Sequence, residues 1–273
     1  MAGRLGVIAG SGPLPRCVVA AARADGREVF VLAIEGETEA ATVAGVPHAR
    51  VPLGAVGRAI RLLRQARVRD VCLIGPVRRP PLAGLRPDLR AARLLARLAG
   101  GPAGDDRLLR LIVEELEREG FRVVAAEALT RGLDLPVGVP TRAQPDAMAA
   151  RDSAQGLAVA RRLGELDVGQ AVVVQEGVVL AVEAAEGTDA LLARVAGLGR
   201  RGRGGVLVKV PKPGQERRAD LPTVGPRTVE LVAEAGLAGL VIEAGGTLVV
   251  DPPATIAAAD ARRLFLEAVA PAP

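Results

Sequence analysis

The chain has 273 residues, 49% of them hydrophobic, which supplies a full core and excludes global disorder. Lys and Arg number 36 against 31 Asp and Glu, a balance that permits an anionic partner: a phosphorylated ligand, nucleic acid or anionic lipid. With one His and two Cys, a zinc site, a His-rich di-metal site and a Ser-His-Asp triad are all disfavoured. Three Phe are the only aromatic residues, so Leu, Val, Ala and Ile must build the core. Cys17 and Cys72 read as reduced core residues. No run of about 18 apolar residues spans a membrane, and MAGRLGVIAG lacks the pattern of a signal peptide, so the expected location is the cytoplasm.

In chain order, residues 4–9 (RLGVIA) predict a buried strand, followed by the turn GSGPLP and an Ala-rich helix to about Asp25. A second strand follows at 28–34, then an apolar helical stripe at Val56, Ile60, Leu63 and Ala66, and a third strand at 70–75. Continuous apolar strands alternating with helices imply a parallel sheet covered on both faces, a Rossmann-like half. Helices are expected at 88–99 and from Asp105 or Asp106, either of which suits an N-cap, and a strand at 121–126. The Gly- and Pro-rich segment 130–147 marks a boundary between residues 1–132 and 133–273. The second half reads as a helix at 147–164, a hairpin at 171–175 and 178–184, and a helix that Thr188 can cap. A strand at 206–210, a helix at 226–235, strands at 239–242 and 247–250, and a final helix over 254–268 complete a distinct α/β domain.

Four stretches carry possible chemistry. In GSGPLP, a glycine turn between strand and helix exposes backbone amides and the positive end of a helix dipole, which suits a phosphate; a tight turn is the plainer reading. In GDD (104–106), two carboxylates at a helix start either hold magnesium or cap the helix. In EAAEGTDALLAR, Glu183, Glu186 and Asp189 crowd one turn and repel unless a cation, donor or proton joins them. In KVPKPGQERRADLPTVG (209–225), Lys209, Lys212, Arg217 and Arg218 supply cations, while Gln215, Glu216 and Asp220 supply oxygen ligands, all on a loop stiffened by three prolines. His48 reads as structural, and RRGRGG (200–205) as a basic loop without the aromatic residues that RNA binding usually adds.

These stretches, in this order and over essentially the whole chain, resemble the UDP-2,3-diacylglucosamine pyrophosphatase family of lipid A biosynthesis, the LpxI type. The resemblance implies magnesium-dependent hydrolysis of the pyrophosphate to UMP and 2,3-diacylglucosamine 1-phosphate, by a Rossmann-like N-terminal domain and a C-terminal α/β domain with the ligand between them. It also implies peripheral contact with the cytoplasmic face of the inner membrane, since the substrate is a lipid. The family's essential aspartate lies in a Q-[DE]-x-R-x-D-x-P segment, which lands on Asp220; Gln215, Glu216, Arg218 and Pro222 match the same pattern. Position 216 is more often Asp in the family and is Glu here. The site expected from motifs and resemblance together has Asp220 as catalytic residue and Mg²⁺ ligand. Substrate contacts are expected at Gly10, Ser11, Gly12, Leu14, Pro15, Gly187, Thr188, Asp189, Lys209, Lys212, Gln215 and Arg218. A homodimer is a further expectation, and nucleic acid is not an expected partner.

Two other classes compete. A dinucleotide-binding oxidoreductase would use GSGPLP and place Glu35 near the ribose, but leaves the 209–225 loop unexplained. A non-enzymatic basic adaptor would use the charge and RRGRGG.

Overall fold

The computed structural model describes residues 3–78, 87–98, 105–130, 132–199, 202 and 204–271. The chain divides into two compact units, Met1–Arg131 with Glu216–Asp220, and Gly132–Gln215 with Leu221–Pro273. The chain thus lends five residues of its late charged loop to the first unit.

The first unit alternates strand and helix: β1 (Arg4–Ala9), α1 (Leu14–Ala24), β2 (Val29–Ile34), α2 (Ala40–Val43), β3 (His48–Val51), α3 (Val56–Gln65), β4 (Val68–Ile74), α4 (Leu89–Leu98), α5 (Asp105–Arg118) and β5 (Arg122–Val123). Its sheet runs β3-β2-β1-β4-β5 with every pairing parallel, as continuous apolar strands require. All six residues of β2 are buried. On one face Leu32, Leu63, Val71, Val113 and Leu116 interlock, so α3 and α5 cover the sheet there. The strand expected over 121–126 pairs through only two residues, and Ala126–Ala128 turn into a short 3₁₀ helix. Asp70 on β4 is buried between Arg27 and Arg122, with Arg122 Nε 2.8 Å from Oδ1. Burial pushes its carboxyl up, but the bonds and charges of Arg122 and Arg27 outweigh that and hold it below the ordinary carboxylate value.

The second unit comprises α6 (Ala147–Glu165), β6 (Ala171–Gln175), β7 (Val178–Val182), α7 (Gly187–Ala196), β8 (Val206–Lys209), β9 (Thr223–Val224), α8 (Pro226–Glu234), β10 (Gly239–Glu243), β11 (Leu248–Val249), α9 (Pro252–Ala261) and β12 (Phe265–Val269). Its main sheet runs β12-β10-β8-β6-β7, with β8, β10 and β12 parallel and the β6–β7 hairpin antiparallel. β9 and β11 form a separate small parallel pair. Helix α6 packs on one face, where Gly156 admits Val208: a Cβ at Gly156 would stand 2.5 Å from Val208 Cγ2. Helices α7, α8 and α9 cover the other face through Leu191, Leu192, Val229, Val232 and Ala259. Buried Asp152 on α6 ties the hairpin turn, its two oxygens accepting the Glu176 and Gly177 amides at 2.9 and 2.8 Å.

The final helix expected over 254–268 is shorter, running Pro252–Ala261. It ends at Ala261, Arg263 takes a left-handed φ of 57°, and Phe265–Val269 become a strand. An Ala-rich run carries no period that separates helix from strand; pairing with β10 decides it.

Candidate functional site

The first sequence motif sits at the carboxyl edge of the N-terminal sheet. Gly10 and Ser11 follow β1, and their amides already donate to Ile74 O and Pro76 O, both at 2.9 Å. The Ser11 hydroxyl donates to Pro76 O as well, at 2.8 Å. Gly10 is a glycine because the chain after β4 presses on it: a Cβ there would lie 2.3 Å from Gly75 O and 2.5 Å from Pro76 O. Gly12, with φ of 81°, has open space where a Cβ would stand. Leu14 and Pro15 are buried in the packing of α1, and Pro13 and Pro15 bring no amide to the helix start. The turn is therefore first a backbone clasp between the loops after β1 and β4. The amides of Gly10 and Ser11, and the side chains of Leu14 and Pro15, are committed to that packing rather than to a phosphate. Gly10→Ala is expected to lower the stability of the chain by about 3 kcal/mol, read by urea unfolding, because two backbone carbonyls cannot yield as a side chain would.

The second motif and the late charged loop meet on the same unit. Asp106, in the first turn of α5, accepts the Glu216 amide at 2.7 Å through Oδ1 and holds Arg110 Nε at 2.7 Å through Oδ2. Helix α5 begins at Asp105, so Asp106 lies inside it and clamps the distant segment instead of capping. Gly104 lies outside the described residues. Arg218 grips Glu216 with Nε and Nη2 at 2.9 and 2.8 Å and reaches Glu117 with Nη1 at 2.6 Å. Arg217 pairs with Glu127 at 3.6 Å. The amides of Ala219 and Asp220 both donate to Glu216 O, folding Glu216–Asp220 into one tight turn, and Ala219 packs against the core. That turn presents half-buried Asp220. The Arg218 hydrogen bond holds the Glu216 carboxyl below its ordinary value against the upward push of burial, and Glu216 with Glu117 raises Arg218.

The remaining candidates gather at one edge of the C-terminal sheet. Ala171 faces Lys209, Ile242 faces Lys209, and the Glu183 amide bonds Ala171 O, so the end of β7, the start of β6 and the ends of β8 and β10 lie in one row. Lys209 is buried, with Nζ donating to Thr223 O at 2.9 Å. Lys212 Nζ holds Asp167 at 2.6 Å, and buried Gln215 accepts the Lys212 amide at 3.0 Å, so Gln215 shapes the loop. Helix α7 starts at Gly187 with Glu186 as N-cap; Thr188 is one residue inside and donates its hydroxyl to buried Glu183 at 2.6 Å rather than capping. The acidic crowding resolves through partners: Glu183 also accepts the Gln170 amide, Glu186 pairs with Arg194 at 2.5 Å, and Asp189 is exposed at the helix start. Sequence reasoning missed Glu243, a buried acid ending β10 beside this row, with Arg161 3.9 Å away. A lone Glu at a strand end carries no distinctive spacing.

His48 is exposed at the start of β3, its Nδ1 2.9 Å from Val46 O. Cys72 is buried, which pushes its thiol up to about 12, and both cysteines are free. Arg200, Arg201 and Arg203 of the 200–205 loop lie outside the described residues. Among the described residues no three His, Cys, Asp or Glu side chains gather as a metal cage, and no helix is long and apolar enough to cross a membrane.

Residues 4–133 match the family model of the LpxI N-terminal domain, and residues 136–267 match that of the LpxI C-terminal domain. A curated relative, the UDP-2,3-diacylglucosamine pyrophosphatase LpxI of Caulobacter vibrioides (strain ATCC 19089 / CIP 103742 / CB 15), is 43% identical over 275 residues, covering 98% of each chain.

Proposed function

The chain belongs to the LpxI family, and from that premise we propose that it hydrolyses the phosphoanhydride of UDP-2,3-diacylglucosamine in lipid A biosynthesis, releasing UMP and 2,3-diacylglucosamine 1-phosphate. The observation that carries this reading is the clamped turn Glu216–Asp220. A chain with no built catalytic role for Asp220 would not need Asp106, Glu117 and Glu127 all spent on the few residues before it. Positioning of this kind is what lowers the barrier for attack of water on a phosphoanhydride.

Magnesium fits the donors present. It prefers one or two carboxylates completed by water and substrate phosphate, so the lack of a three-carboxylate cage among the described residues suits it. Asp220 is the residue that would hold it, and the bound ion would supply charge neutralisation on the phosphate oxygens. The chain's own residues do the rest. Asp220 orients the attacking water, and Arg218 keeps the Asp220 turn in place.

The protein on this reading works as a peripheral enzyme on the cytoplasmic face of the inner membrane, as a homodimer. The family gives no support to a dinucleotide-dependent oxidoreductase. The test is incubation of the full chain with UDP-2,3-diacylglucosamine and Mg²⁺, with nucleotide products separated by chromatography and identified by mass. UMP together with the lipid 1-phosphate is the expected result; absence of UMP overturns the reading.

A further inference from the structure

Helix α3 carries Arg58, Arg61 and Arg64, helix α4 carries Arg90, Arg93 and Arg97, and neither helix carries an acid. Both turn apolar residues inward: Ile60 and Leu63 of α3 are buried, as are Ala91, Leu94 and Leu98 of α4. Asp88 joins the starts of the two helices. Its Oδ2 accepts the Gly57 amide at 2.6 Å, its Oδ1 accepts the Ala91 amide at 2.9 Å, and its own amide donates to Gly54 O at 3.1 Å. Arg58 and Leu89 each adjoin one partner of the Gly57–Asp88 bond, and Arg61 and Arg93 follow about one turn further along their helices.

The arginines divide by what they face. Arg64 pairs with Glu119, Arg90 with Glu115 and Glu119, and Arg97 with Glu114, so acids on and just after α5 neutralise these three. Arg58, Arg61 and Arg93 are exposed and make no ion pair among the described residues. Leu89 beside them is 82% exposed, the most exposed large hydrophobic side chain among the described residues. Leu166, next at 74%, has Glu165 and Asp167 on either side instead of free cations. Unpaired cations around a leucine held out in water match the chemistry of an anionic bilayer. The guanidinium groups meet the headgroup charge, and the apolar side chain enters the headgroup–acyl boundary. Nucleic acid would use the cations but not the leucine, and neither helix offers an aromatic ring for stacking.

We infer that the joined starts of α3 and α4 are the face by which the N-terminal unit docks on an anionic bilayer, through Arg58, Arg61, Arg93 and Leu89. This rests on the pyrophosphatase reading, whose substrate is a lipid, and it names the surface that holds the enzyme at the membrane.

The experiment sediments the full chain with vesicles of phosphatidylcholine, alone or with about 30% phosphatidylglycerol, at rising salt. The wild type is expected to bind the anionic vesicles, to ignore the neutral ones and to come off as salt rises. Arg58→Ser, Arg61→Ser and Arg93→Ser together are expected to lower partitioning by about 10²-fold at low salt. Leu89→Ser lowers it several-fold, whereas Leu166→Ser leaves it unchanged. A control removes the same net charge elsewhere, at exposed Arg23, Arg151 and Arg263, and keeps the binding. These are surface changes, so all variants should unfold as the wild type does. Equal loss in the control means that general basicity drives adsorption, which overturns the inference. So does a wild type that fails to bind anionic vesicles or binds neutral ones as well. Tighter binding to a random DNA duplex than to the vesicles at the same salt, lost in the same triple variant, assigns the surface to nucleic acid and overturns it too. The vesicles contain no substrate, so absence of UMP release would sink the pyrophosphatase reading separately, and vesicle binding would still decide this one.

Discussion

Replacing Asp220 by Ala is expected to slow UMP release by about 10³-fold in a chain that still unfolds cooperatively. The side chain is half-buried at the end of a turn built on the Ala219 and Asp220 amides on Glu216 O and on Ala219 against the core. Removing the carboxylate keeps those backbone bonds and that packing. Asp220→Asn should lose as much, because it keeps the shape and gives up the charge that a divalent cation and an oriented water need. EDTA should abolish wild-type turnover and added Mg²⁺ should restore it, while neither changes the residual rate of Asp220→Ala. A variant retaining more than about a tenth of wild-type kcat, a loss far short of that magnitude, would remove Asp220 from the catalytic role.

Arg218→Ala is expected to lower kcat by about 10²-fold with little change in KM, because a displacement near 1 Å of a catalytic group costs that much. Arg218 holds Glu216 with two parallel bonds and Glu117 with a third, and Glu216 in turn accepts the two amides that shape the turn. Arg218→Lys should not rescue, since a single ammonium cannot reproduce the fork. The pH profile adds a separate reading. In the wild type Arg218 depresses the Glu216 carboxyl, so the clamp is intact at neutral pH and is lost only as pH falls through that lowered value. Without Arg218 the carboxyl returns toward its ordinary value, and the acid limb of the rate profile should move to higher pH. An unmoved limb with an unchanged kcat would mean the clamp does not position Asp220.

Much of this was legible in the residues. Short apolar runs such as VFVLAI, rich in β-branched and aromatic residues and separated by helical stretches, read as doubly buried strands, which points to the parallel N-terminal sheet. Asp146 ahead of an Ala-rich run predicts α6, and the side chain caps it with bonds to the Met148 and Ala149 amides. The ordered motifs carry the family, because their spacing spans the whole chain. Other features had no local signal. GSGPLP looks like a phosphate cradle until Gly75 and Pro76 are brought against it, and then the Gly10 and Ser11 amides prove to be engaged. Asp106 looks like a cap until Glu216 arrives from 110 residues away. Phe265–Val269 looks like helix until β10 lies alongside.

Residue type and spacing, by themselves, determined the fold class, most of the longer elements and the family, since hydrophobic period and short motifs are properties of neighbours along the chain. Tertiary structure alone decided which carboxylates are clamps and which remain exposed. It also decided which amides are already bonded, and which unit the Glu216–Asp220 turn joins. Those depend on partners distant in sequence, and a hydrogen bond made at folding removes a donor that the sequence still shows as present.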